Sequence, residues 1–287
     1  MVGPIVICIV GVVFLGIGIA AAWPALSRAR GLEKLIALGL TFEAAALATF
    51  GTEHQFLARF IMQGVPAWMP VRLFWAYFVG VALIAAALSL ALNRCVKWSA
   101  LLTGVMILLF VLTIHVPNAA ANPHDRFIWT VVLRDLAFAS GIAALAGSRW
   151  DWGWLVTLGR IIVAAVALFF AVEHFLHPTN APGVPLQKMT PPWVPLPALW
   201  GYLVGALLLT GGLALIANWR SRSAAGWLGL VMLVLTVALY LPILLMASGT
   251  GPLIEGINYV GDTLLYAGTL LVLAEALPNN AGPMRVQ

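Results

Sequence analysis

Charge is what this chain has least of. Of its 287 residues only 15 are Lys or Arg and 10 are Asp or Glu, 9% together, where soluble domains carry about 25%. A chain so poor in charge cannot cover a globule with polar surface. Cysteine is almost missing as well: Cys8 and Cys95 each lie in or beside an apolar run, with no CxxC pair, so neither an internal redox disulfide nor a zinc site is spelled out. There is no phosphate-binding loop, no nucleophile coupled to a base and no closed metal set, which makes a stand-alone enzyme the least supported reading. The net charge of +5 does not point to nucleic acid. Its basic residues fall between hydrophobic runs, as orientation signals do, and not in one patch.

What the chain has in excess is apolar sequence, 62% of its residues, with a mean hydropathy of +1.01. A bilayer core is crossed by about 20 mainly apolar residues, and that window gives nine spans, near 3–25, 33–56, 72–93, 98–117, 127–147, 154–177, 198–218, 224–246 and 257–277. The first run ends in Ala20, Ala21 and Ala22, which resembles a signal-peptide cleavage site. Its basic residues come after it, however, as Arg28, Arg30 and Lys34, the pattern of a retained helix with its N-terminus outside. Alternate connections then hold nine Lys or Arg on one side (Arg28, Arg30, Lys34, Arg94, Lys97, Arg149, Arg220, Arg222, Arg285) and four on the other (Arg59, Arg72, Arg126, Lys188). The expectation is an integral protein of the bacterial inner (cytoplasmic) membrane, N-terminus out and C-terminus cytoplasmic. The long connections 57–71 and 178–197 then lie on the outer face.

The chain also resembles itself at an offset of 120 to 127 residues. Glu53, His54 and Phe56 read against Glu173, His174 and Phe175, and Pro66-Ala67-Trp68-Met69-Pro70 against Pro192-Trp193-Val194-Pro195. At an offset of 125, Tyr77 pairs with Tyr202, Gly80 with Gly205, Asn93 with Asn218 and Pro117 with Pro242; Asp135 then pairs with Asp262. The fold class expected is all-α: a polytopic membrane protein of about nine transmembrane helices, one leading helix plus two parallel four-helix repeats. It divides into a leading helix and cytoplasmic loop (1–32), a first four-helix unit (33–150), a second (151–280) and a short cytoplasmic tail (281–287). An even number of helices per unit gives both copies the same orientation.

Ionisable groups inside a span are costly and normally face a polar partner. Glu43 lies near the middle of the second span, opposite Val163 in the second copy; it is either a neutral acid serving a ligand or proton, or a side chain bonded to a neighbouring helix. Glu53 and His54, with Glu173, His174 and His177, form the densest cluster. The i, i+3 and i, i+4 spacing puts His174, His177 and Glu173 on one face, a weak candidate for a metal site at His174 and His177. The alternative is a helix end that hydrogen-bonds the outer loop. Arg134 and Asp135, adjacent in sequence and about 100° apart on a helix, are expected to take different interhelical partners and not each other. Asp262, the counterpart of Asp135, is expected about six residues into its span. His115 and its counterpart Tyr240 stand two residues before Pro117 and Pro242, placed either to bind a quinone carbonyl or pass a proton, or as satisfied core residues. His124 is expected to be solvated. The Pro- and Trp-rich outer loops read as re-entrant or surface-lying lids.

The Glu-His-Phe helix end, the Pro-x-Trp-x-Pro loop and the following Phe74-Trp75-x-Tyr77-x-x-Gly80, repeated at Trp200, Tyr202 and Gly205, resemble the DoxX-like family of small four-helix membrane proteins, over roughly 33–147 and 154–277. The resemblance implies a tandem DoxX-like protein. It also implies association with quinol oxidase or thiosulfate:quinone oxidoreductase systems and with membrane redox-stress assemblies, often as an accessory subunit; no catalytic residue transfers. Three functions follow as expectations: a quinone-associated accessory subunit of a redox complex, using the outer polar layer; a transporter or binder of a small lipophile or ion, using Glu43 and Arg134; or a purely structural subunit. The only cofactor expected is quinone, and the partners are the lipid bilayer and a redox protein complex.

Overall fold

The computed structural model describes residues 2–279; the tail 281–287, with Arg285, lies outside the described residues. Those residues form nine helices long and apolar enough to cross a membrane: α1 (Val2–Leu26), α2 (Leu32–Phe56), α3 (Arg72–Ala91), α4 (Val96–Ala121), α5 (Arg126–Arg149), α6 (Gly153–Leu176), α7 (Pro197–Ile216), α8 (Ser221–Met246) and α9 (Thr250–Ala276). No strand occurs among them beyond one isolated bridge, Asn180 to Met189. The chain is an all-α, polytopic integral membrane protein. Hydrocarbon offers no partner for an open backbone amide, and so each apolar run closes its hydrogen bonds internally.

Two ends differ from the sequence expectation. α9 starts at Thr250 and not near 257, because Pro252 sits in its first turn, where a missing N–H costs nothing. Asp262 therefore lies twelve residues into the helix, twice as deep as expected. α4 continues past Pro117 to Ala121. The ring of Pro117 is accommodated by a π-turn, Val111–His115, which widens the helix just before the proline. Pro242 is preceded by an equivalent π-turn, Thr236–Tyr240.

These irregularities recur at the 125-residue offset. Left-handed backbone occurs at Val71 and Leu196, at Asn93 and Asn218, and at Cys95 and Arg220. Trp75 Nε1 donates to the Pro70 carbonyl at 3.0 Å, and Trp200 Nε1 to that of Pro195 at 3.1 Å.

The helices form an inner group and an outer one. α2, α5, α6 and α9 are the inner helices; 78% of the apolar window of α9 is buried, against 11% of that of α1. α3 packs on α2, α7 on α6, α4 on α5, α8 on α9, and α1 on α2 and α3. The inner contacts cross between the two halves of the chain: α2 packs on α9, α5 on α6, and α5 on α9, whereas α2 makes no comparable contact with α5. Small residues permit this. A Cβ added at Gly268 on α9 would stand 2.8 Å from the Glu43 amide nitrogen on α2, and one at Gly159 on α6 would stand 2.5 Å from the Ser140 carbonyl on α5. Val12, Val81, Leu102 and Leu245 are exposed, and the apolar outer surface they belong to meets lipid.

Candidate functional site

Most of the buried charges collect on the inner helices, toward the end of the bundle that carries the long connections. Arg134 on α5 lies at the centre. Its Nε donates to Asp135 Oδ1 at 2.8 Å and its Nη1 to Asp262 Oδ2 on α9 at 2.6 Å, and its guanidinium lies 5.7 Å from the Phe138 ring. The expectation that Arg134 and Asp135 avoid each other is overturned. The 100° between their Cα–Cβ directions is real, but the arginine is long enough to curl back over its own turn while still reaching α9. Asp135 is bonded on its other side, where His115 Nε2 lies 3.0 Å from Oδ2. The π-turn of α4 aims this histidine inward. A chain His115, Asp135, Arg134, Asp262 thus runs from α4 through α5 to α9. With every carboxylate doubly or charge-paired, it satisfies what burial demands.

The two Glu-His pairs sit at the ends of α2 and α6, on the same side. Glu53 accepts from Asn258 Nδ2 of α9 at 3.1 Å, and Glu173 pairs with Arg126 Nη1 at the start of α5 at 2.7 Å. Asp125 holds that start, accepting from the Phe127 and Ile128 amides; His124 beside it is exposed. Each Glu therefore bonds the last helix of the other half. Each histidine turns Nδ1 to the carbonyl four residues back, His54 to Phe50 at 2.8 Å and His174 to Phe170 at 2.6 Å.

Beyond that the two halves of the chain part. His174 Nε2 accepts the Gly183 amide at 2.9 Å, and the Tyr240 hydroxyl donates to the Pro182 carbonyl at 2.9 Å. These two bonds draw residues 181–185 of the second long connection into the bundle, where all five are buried. His174 accordingly has both ring nitrogens engaged and is the neutral tautomer protonated on Nδ1. His177 is exposed at the helix end, and His174, with both ring nitrogens engaged, has none free for the metal pair considered from the sequence. Among the described residues no group of three or more His, Cys, Asp or Glu side chains is placed to hold a metal ion.

In the first half the long connection stays outside: Gln63 to Pro70 are all half-buried or exposed. His54 and His115, which correspond to the plug-holding His174 and Tyr240, are only partly covered; the side chain of His115 is 23% exposed against 2% for residue Tyr240. Among the described residues His54 Nε2 has no hydrogen-bond partner. Among the described residues no segment of the first connection is hydrogen-bonded to His54 or His115 as residues 182 and 183 are to Tyr240 and His174, and each of these imidazoles keeps one ring nitrogen without a partner.

Glu43 is apart from this layer. It is 2% exposed at the α2–α9 contact and accepts from Thr269 Oγ1 at 2.9 Å. Sequence reasoning passed over Asn258, Arg126, Tyr266 and Arg160. Tyr266 is fully buried between Phe138 and Phe170, with a hydroxyl that has no partner. Arg160 is a single cation seven residues into an apolar run, which should have marked it. No known protein family matches the chain, and neither a curated protein nor a solved structure is significantly similar to it.

Proposed function

We propose that this protein is a tandem DoxX-like membrane subunit that binds a quinone head group for a partner oxidoreductase, between His54 and His115. The observation that carries this reading is the asymmetry of the two copies. The second holds residues 181–185 between His174 and Tyr240, whereas in the first no chain segment bonds His54 or His115 in the same way. The reduced, quinol form of the head group suits them: its hydroxyls donate to the bare ring nitrogens, His54 Nε2 and His115 Nδ1, and its ring and tail suit the apolar surroundings. Asp135 bonded to His115 Nε2 fixes the ring and leaves Nδ1 for the ligand, and Arg134 holds Asp135 in place.

The recurrent π-turns, left-handed residues and Trp-to-Pro hydrogen bonds support the tandem reading. The transporter reading has less support, since Arg134 is saturated by two carboxylates and Glu43 is closed into a helix contact. A purely structural subunit predicts that neither histidine matters. The test is to solubilise the native assembly gently, identify its proteins by mass spectrometry and extract and quantify its quinone, for wild type and for His54→Ala and His115→Phe. Quinone retained by wild type and lost from both variants with the fold intact supports the reading. Wild type carrying neither quinone nor a redox partner refutes it.

A further inference from the structure

At the opposite, short-loop end of the bundle an open cavity of about 420 Å³ lies between the start of α6 and the ends of α5, α7 and α9. Its walls include Ser148, Asp151, Gly153, Thr157, Arg160 and Asn218. Arg160 is the anomaly. It is 8% exposed, yet among the described residues no carboxylate pairs with it. Its Nη1 donates to the Leu215 and Ile216 carbonyls at the end of α7, and its Nε and Nη2 have no partner there. A buried guanidinium held only by backbone carbonyls is an uncompensated cation. The cavity is also faced by the first turn of α6, where the Gly153 and Trp154 amides have no acceptor among the described residues, those of Leu155 and Val156 being bonded to the Trp152 carbonyl, and where the helix dipole favours an anion. Thr157 retains a hydroxyl to donate, and Asn218 its amide nitrogen, since Asn218 Oδ1 accepts from Ser221. Asp151 carries the one opposing charge in the lining and is exposed at the rim, where water screens it.

We infer that this cavity is a binding site for a phosphate group, with Arg160 as its cation. A guanidinium with two free donor sites matches two phosphate oxygens in a way no neutral ligand can, and the Gly153 amide at the cavity wall adds a further donor. Seven residues into α6, Arg160 stands about 10 Å from the helix start, within reach of the headgroup layer. The phosphate can come from a phospholipid or from the aqueous side. The inference is independent of the quinone reading, because the two sites lie at opposite ends of the bundle.

The test uses the full chain in detergent, titrated with inorganic phosphate, with phosphatidylglycerol micelles and with micelles of a phosphate-free glycolipid, binding being followed by the shift in the thermal melt of its tryptophan fluorescence. Three variants accompany it. Gly153→Leu adds a side chain at the cavity wall, where a Cβ meets nothing within 4 Å; Arg160→Gln removes the cation, and Arg160→Lys keeps it. Wild type should bind a phosphate-bearing probe at least about tenfold more tightly than Gly153→Leu or Arg160→Gln, with Arg160→Lys between them. A response to inorganic phosphate identifies the aqueous source, and a response to phosphatidylglycerol alone identifies the lipid. An equal response to the glycolipid, or a folded Arg160→Gln that binds like wild type, overturns the inference.

Discussion

Arg134→Gln is the substitution whose effect the structure specifies most closely. It deletes two charge-assisted hydrogen bonds, of 2.8 Å to Asp135 and 2.6 Å to Asp262, each of a kind that contributes about 1.5–3 kcal/mol. Asp135 keeps His115 at 3.0 Å. Asp262, 6% exposed, keeps no charged partner, and stranding one member of a buried pair costs about 3–5 kcal/mol. The two routes agree on a loss of roughly 4 kcal/mol. At about 2–4 °C per kcal/mol, the melt followed by tryptophan fluorescence should fall by on the order of 10 °C. The diagnostic step is the double variant Arg134→Gln, Asp262→Asn. With no carboxylate left stranded it should recover more than half of the loss, a coupling larger than that of independent sites. A single variant losing under about 1 kcal/mol, or a double variant as unstable as the sum of its parts, would refute the ionic account of this layer.

Other substitutions separate the remaining contacts. His174→Ala orphans the Gly183 amide, costs about 1–3 kcal/mol and releases residues 181–185, so limited proteolysis should cut between 177 and 196 at least several times faster than in wild type. Gly51→Leu cannot be accommodated, because a Cβ there already stands 2.9 Å from the Gly80 carbonyl and 2.8 Å from Ile84 Cγ1; the α2–α3 contact should open, with a loss of at least about 1–3 kcal/mol in the same melt. Glu43→Gln preserves an acceptor for Thr269 and should change stability by less than about 1 kcal/mol. A larger loss would mean that the carboxylate is ionised and paired in a way the Thr269 contact does not account for.

The nine spans could be read from the sequence because the bilayer ties run length to backbone satisfaction: an apolar stretch long enough to cross must close its own hydrogen bonds. Helix ends were less legible. Pro252 reads as a breaker, but in a first turn it breaks nothing, and Pro117 is absorbed by a π-turn that no hydropathy window detects. The polar layer was legible as a set of residues, since each charge in hydrocarbon announces itself, but not as a set of bonds. Which carboxylate Arg134 reaches depends on α9 lying against α5, a tertiary fact, and on a side chain long enough to defeat an argument from Cβ directions. Arg160 escaped for the opposite reason: averaged over its window, one cation vanishes among Ile161, Ile162, Val163 and Ala164. The difference between the two long connections was invisible too. Pro182, Gly183 and Pro185 read as loop, and only the His174 and Tyr240 contacts show that this loop is interior.

The crossing of contacts between the halves makes a prediction about how the molecule assembles. A four-helix unit cut out at residues 33–150 would contain α2 and α5, yet these pack on α9 and α6, which it would lack. Its polar groups would fare no better. Glu53 would lose Asn258, Arg126 would lose Glu173, and Arg134 would lose Asp262. In a bilayer the helices of such a fragment gain no hydrophobic drive to repack, because lipid solvates their apolar faces as well as protein does, and unpaired polar groups remain costly. Neither 1–150 nor 151–287 expressed alone should give a stable, monodisperse protein, whereas the two co-expressed should co-purify in a 1:1 complex that melts near the intact chain. Arg134→Gln in the first fragment should weaken that complex, because the Arg134–Asp262 bond is then intermolecular. If 1–150 alone is monodisperse and as resistant to protease as the intact chain, the crossed contacts do not organise the fold, and two independent bundles joined by a short connection would be the better description.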